Sequence, residues 1–70
     1  MIMHHFLTVT QVAQYAVDND GHMPVLYEQG KAVGEITLIR FLDVPEVEIL
    51  AGGRTIKRNA DDEIEVMYPL

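Results

Sequence analysis

The sequence predicts an α+β domain in which one N-terminal helix packs on a four- to five-stranded antiparallel meander sheet. Three observations carry that expectation. From residue 24 to residue 68, apolar and polar residues alternate in short runs, the spacing of strands. Turn-forming pairs at Gly30-Lys31 and Gly52-Gly53, with Asp43-Val44-Pro45 between them, cut those runs into hairpin lengths. Only residues 8–20 have helical spacing, and they open on a capping sequence. The chain therefore divides into residues 1–7, an arm or short strand, residues 8–20, the helix, and residues 24–68, the sheet. With no repeat or linker, it reads as one domain.

Within Thr8-Val9-Thr10-Gln11, the Thr8 hydroxyl can accept from the Gln11 N–H while the Gln11 side chain reaches back to the cap. Val9, Val12, Ala13, Ala16 and Val17 then form a narrow apolar stripe, and Asp18-Asn19-Asp20-Gly21 ends the helix. Pro24 suits the first residue of a strand running from Val25 to Gln29. A type II′ turn at Gly30-Lys31 would set Val25 opposite Ile36, Leu26 opposite Glu35, Tyr27 opposite Gly34 and Glu28 opposite Val33.

Residues 32–50 are the apolar centre, two strands joined at Asp43-Val44-Pro45. Strict alternation puts Gly34, Ile36, Leu38 and Leu42 on one face of the first strand and Val33, Glu35, Thr37, Ile39 and Phe41 on the other. Both faces are largely apolar, so this strand should be covered twice. A type I′ turn at Gly52-Gly53 sets Ile49 opposite Ile56 and Glu48 opposite Lys57, an apolar pair on one face and an ion pair on the other. The last strand, Glu63 to Tyr68, is expected to follow Arg58 through a loop of odd length, which keeps Ile56 beside an apolar neighbour and gives Lys57 a glutamate.

A chain of 70 residues buries only about 60% of the surface its unfolded form exposes, so such domains lean on disulfides, metals or oligomerisation. The absence of cysteine excludes disulfides and thiolate zinc sites, which leaves oligomerisation as the expected support. Residues 1–7 lack the basic start and apolar run of a signal peptide, and no stretch approaches the roughly 20 apolar residues of a membrane span. A cytoplasmic protein without a membrane partner is expected. The net charge of −6 opposes binding to nucleic-acid phosphates, and the basic cluster Arg54, Lys57 and Arg58 is expected to pair internally with neighbouring carboxylates.

No catalytic constellation, cofactor fingerprint or metal-ligand spacing is present. There is neither cysteine nor serine, and Thr8, Thr10, Thr37 and Thr55 have local structural explanations. The glycines fit a helix end, two turns and a strand, and Gly52-Gly53 opens a strand where a phosphate-binding loop would open a helix. His4, His5 and His22 lack a spacing that points them at one ion, and Asn59-Ala60-Asp61-Asp62-Glu63 lacks the alternating ligands of a calcium loop. Two surfaces remain. The second face of the central strand, Val33, Thr37, Ile39 and Phe41, is the expected dimer or partner surface. Glu46, Glu48, Asp61, Asp62, Glu63 and Glu65 form an acidic face, either simply solvated or spaced to imitate nucleic-acid phosphates.

Phe6-Leu7-Thr8-Val9-Thr10-Gln11-Val12-Ala13-Gln14-Tyr15 resembles the opening helix of excisionase and MerR-type DNA-binding domains. The resemblance covers about ten residues and implies a second, recognition helix immediately afterwards; Gly21, Pro24 and strand-like residues stand there instead, so the chain is not assigned to that family. The expected function is that of a small non-catalytic accessory or regulatory protein, homodimeric and acting by protein–protein binding, of a kind common among bacterial and phage accessory proteins. One alternative is an acidic nucleic-acid mimic that inhibits a basic, nucleic-acid-binding protein. Another is a direct DNA-binding regulator using helix 8–18 with Arg54, Lys57 and Arg58.

Overall fold

The computed structural model describes residues 4–69, so the first residues of the expected arm lie outside the described residues. In chain order the elements are β1 (His5–Thr8), α1 (Val9–Asp18), β2 (Val25–Glu28), β3 (Lys31–Phe41), β4 (Glu46–Ala51), β5 (Arg54–Asn59) and β6 (Glu63–Met67). The fold is α+β, one helix on an antiparallel sheet, but the sheet has six strands in the order β1-β6-β2-β3-β4-β5 where four to five were expected. The extra strand is the segment before the helix, which pairs with β6 from His5↔Val66 to Thr8↔Glu63. Only β2 to β5 form a meander. The loop after β5 has the expected odd length, Ala60 to Asp62, but it is a crossover: β6 leaves β5 and inserts between β1 and β2. Lys57 therefore takes no glutamate from β6, and its cross-strand carboxylate is Glu48 on β4.

The helix begins as its sequence dictates. The Gln11 N–H donates to the Thr8 hydroxyl at 3.1 Å, and the Thr8 N–H donates to Gln11 Oε1 at 2.9 Å, completing the capping box. Its next free donors are used across space, Val9 N–H to the Asp62 carbonyl at 3.0 Å and Thr10 N–H to the Ala60 carbonyl at 3.2 Å. Strand β1 thus runs directly into α1, whose first turn is tied to the crossover. Val9, Val12 and Ala16 are buried, whereas Val17, though in the apolar stripe, is 78% exposed. The helix stops at Asp18 rather than at residue 20, because Asp20 and Gly21 take positive φ and the Gly21 N–H folds back to the Ala16 carbonyl at 2.7 Å.

The Gly52-Gly53 hairpin has the expected register, with Ile49↔Ile56 and Glu48↔Lys57, and both glycines have positive φ. The β2–β3 turn does not. It lies one residue earlier, at Gln29-Gly30, with φ of 51° and 78°, a type I′ geometry whose twist suits a hairpin better than that of an open turn. Glu28 then faces Lys31 and Tyr27 faces Ala32, before a bulge at Val33 resets the ladder to Leu26↔Gly34 and Val25↔Glu35. A second bulge at Thr37 separates Ile36↔Ala51 from Leu38↔Leu50. Since side-chain direction alternates strictly between bulges, the second one reverses the faces of everything beyond it. Ile39 pairs with buried Ile49, and Phe41 with buried Val47, on the core side; Leu38 and Leu42 turn outward.

One core results, built from Val9 and Val12 of the helix and Leu26, Ile36, Val47, Ile49, Ala51, Ile56, Ile64 and Val66 of the sheet. Burial of each of its larger aliphatic side chains contributes about 1.5–3 kcal/mol. No polar or charged residue is buried among those described. Strand β3 serves both halves of the sheet, Lys31 to Glu35 pairing with β2 and Ile36 to Phe41 with β4. Its bend brings the β4–β5 turn onto its own backbone: a Cβ on Gly52 would lie 2.1 Å from the Val33 carbonyl oxygen, and one on Gly34 2.4 Å from the Gly52 Cα. The coil is tight enough for β5 to reach β2, where Glu28 accepts from Arg58 at 2.7 Å and lies 3.7 Å from Arg54.

Gly52 and Gly53 share a left-handed backbone but differ in surroundings, since a Cβ on Gly53 would meet nothing within 4 Å. Gly53→Ala is expected to cost about 1 kcal/mol of backbone strain and Gly52→Ala about 3 kcal/mol or more, the excess coming from collision with β3. Urea midpoints of the two variants measure the difference; equal midpoints would show that the turn can withdraw from β3 freely.

Candidate functional site

The residues expected to form a second apolar face do not share one. Val33, at the first bulge, and Ile39 pack against the core cluster. Thr37 is the second bulge residue, its hydroxyl donating to the Leu50 carbonyl at 3.3 Å. Phe41 is 52% exposed and stands beside a groove of about 350 Å³ between β3 and the last turns of α1, walled also by Val17, Met23 and Ile39. What the four residues share is their strand, and its second half has an open side.

That open side follows from the ladder. Strand β2 pairs with β3 only as far as Glu35, and the Ile36 N–H makes the last bond on that flank, to the Pro24 carbonyl at 2.9 Å. Beyond it, among the described residues, β3 is paired by β4 alone. The Leu42 N–H donates to the Glu46 carbonyl, so by alternation Leu38, Arg40 and Leu42 direct their backbone groups toward β4. The N–H and C=O of Ile39 and Phe41 point away, along a bare edge. Exposed apolar side chains gather beside it: Leu38, Phe41, Leu42, Val44 and, across the groove, Val17. Val17, Leu38, Leu42 and Val44 were not singled out from sequence, because the bulge that turns the leucines outward carries no residue signature and Val17 has ordinary core spacing.

The acidic residues do not form a single array. Glu46 and Glu48 stand on β4, separated from Glu63 and Glu65 on β6 by β2 and β3 in the sheet. Glu48 binds Arg40 at 2.7 Å and lies opposite Lys57, while Glu65 accepts from the Gly30 N–H at 3.2 Å and is bonded to the His4 ring. Asp62 caps the Asn59 N–H at 2.9 Å, which leaves Glu46, Asp61 and Glu63 simply exposed. Of the basic cluster, Arg54 and Arg58 are both taken by Glu28, while Lys57 stands opposite Glu48 in the ladder without an ion pair among the described residues, Glu48 being bonded to Arg40. One face of the helix is sunk in the core, and the three arginines are paired among the described residues.

His5, Tyr15, His22 and Tyr68 cluster at the helix end of the sheet. Tyr68 lies with its ring centroid 4.5 Å from that of Tyr15 and 5.7 Å from that of His22. Its hydroxyl is enclosed with no hydrogen-bond partner among the described residues, and burial, then Tyr15, pushes its pKa above the ordinary 10.0. No group of three or more His, Asp or Glu side chains among the described residues is placed to hold a metal ion. No helix of the described residues is long and apolar enough to cross a membrane.

The folded chain holds the Tyr68 proton more tightly than the unfolded chain does. Stability from this source is complete below pH 10.0 and is lost as pH rises through the higher folded value. Tyr68→Phe removes both the orphaned hydroxyl and its titration, so it is expected to gain about 1 kcal/mol, a rise of roughly 4–8 °C in melting temperature. The wild type should fall away more steeply than the variant above pH 10.0 in thermal melts.

No known protein family matches this chain, and neither a curated protein nor a solved structure matches it, so its function must be read from the geometry.

Proposed function

We propose that this chain is a small non-catalytic binding protein, an accessory or regulatory module that acts on another protein through the second half of β3 and the flank of α1 beside it. One observation carries the proposal: the bare backbone edge at Ile39 and Phe41 coincides with the exposed apolar residues of the same surface. Extended segments of other proteins add to such an edge, with main-chain hydrogen bonds supplying affinity and flanking side chains supplying selectivity. The other edges are less suited. Strand β5 carries Arg54, Lys57 and Arg58, and β1 is only four residues long.

The nucleic-acid mimic is the second reading, favoured only by the exposed Glu46, Asp61 and Glu63 and the charge of −6. Its weakness is that Glu48 and Glu65 are already bonded within the chain.

Capture from a native lysate separates the two. The double variant Val17→Lys, Val44→Lys alters side chains that are 78% and 96% exposed and should leave the fold intact. It is expected to lose specifically bound protein by about tenfold or more, while Glu46→Lys with Glu63→Lys leaves capture unchanged and insensitive to salt. The reverse pattern would transfer the function to the acidic residues.

A further inference from the structure

The bare edge of β3 identifies the kind of partner it can take. Unpaired N–H and C=O groups in strand geometry are satisfied by another strand, in antiparallel or parallel orientation. An antiparallel partner can be β3 of a second copy, because a two-fold axis through Arg40 pairs the edge with itself. In that register Ile39 lies opposite the partner's Phe41 and each exchanges both backbone bonds with the other. On the outer face, Leu38 lies opposite the partner's Leu42. Shifting the axis to Ile39 would oppose Leu38 to Arg40, and shifting it to Phe41 would oppose Ile39 to Asp43. The Arg40 register alone opposes Ile39 to Phe41 on one face and Leu38 to Leu42 on the other; it also sets Arg40 opposite its own copy at the axis, where each charge is offset by the Glu48 that binds it at 2.7 Å.

Charge points to the same occupant. The chain carries −6 overall, so two copies repel one another over most of their surface. From Thr37 to Leu42 the only charged residue is Arg40, and it is held by Glu48 of its own sheet at 2.7 Å. This neutral stretch is where copies can approach. The pairing would also place the two helices on the same side of a continuous sheet and bring the exposed Val17 and Phe41 of each copy toward the axis.

We infer that the chain forms a two-fold homodimer by antiparallel pairing of the Leu38–Leu42 edge of β3 with itself, centred on Arg40. The inference rests on the reading of this edge as a protein-binding surface, and it names a second copy of the chain as the first occupant.

Amide hydrogen exchange across a dilution series, alongside sedimentation, tests it. The Ile39 and Phe41 amides are expected to exchange at least about tenfold more slowly at concentrations where the mass is that of two chains, while the β4-bonded Leu42 amide is protected at every concentration. Arg40→Glu, at a side chain 61% exposed, gathers four glutamates around the axis with Glu48 and should give a folded monomer, whereas Arg40→Thr stays dimeric. A wild type that sediments as one chain at high concentration, with Ile39 and Phe41 exchanging fast, would overturn the self-pairing. So would a dimer whose Ile39 and Phe41 amides remain unprotected. Neither result touches the protein-binding reading, which falls only if the Val17→Lys, Val44→Lys variant captures partners as the wild type does.

Discussion

The fold depends on a place where two stretches of backbone nearly touch. The β4–β5 turn sits on β3 so closely that neither Gly34 nor Gly52 has room for a side chain, and Gly34 adopts φ +148° as β3 bends beneath the turn. That contact converts a hairpin and a long strand into a coiled sheet with an inside. Once it is made, β5 lies near β2, Glu28 can hold Arg54 and Arg58 across the gap, and α1 has a concave surface to cover. The exposed ion pairs at the rim contribute little by themselves, on the order of 0–1 kcal/mol each. Their geometry is a consequence of the bend and does not produce it.

Where local chemistry decided structure, the sequence was legible. Thr8 and Gln11 announced the helix start, and two glycines with matched parity on either side announced the register of β4 and β5. The β2–β3 register departs from the one expected with glycine first in the turn, because Gln29 accepts a left-handed φ and Gly30 takes the second position. The bulges at Val33 and Thr37 were invisible, since an extra residue in a ladder has no required side chain. They explain why β3 is apolar on both of its nominal faces. The apolar stripe changes sides partway along, following the core around the bend, so two external covers are not needed.

The same bulge governs how much of the candidate site could be foreseen. Val33, Thr37, Ile39 and Phe41 are expected from sequence to share a second face of β3, but the two bulges separate them, and only Ile39 and Phe41 lie on its unpaired edge. An edge is a property of strand order, and strand order here turns on β6 leaving β5 to lie between β1 and β2. Nothing in residues 60–62 distinguishes that crossover from a hairpin of equal length. The acidic residues show the complementary failure. Their density in sequence suggested an array, and the crossover distributes them across strands where the sheet engages Glu48 and Glu65.

Strand β1 passes into α1 without a connecting residue, Thr8 being both the last residue of one and the cap of the other. The joint has no slack. With Val9 and Thr10 bonded to the crossover, the helix is bolted at its first turn while its far end, at Val17, is free of such ties. Lengthening the chain by one residue at Thr8 would have to rotate either the strand's pleat or the helix's buried stripe out of phase. Natural variation in length should accordingly be scarce there and concentrate at the other end of the helix, between Asn19 and Met23, where the chain has room to absorb it.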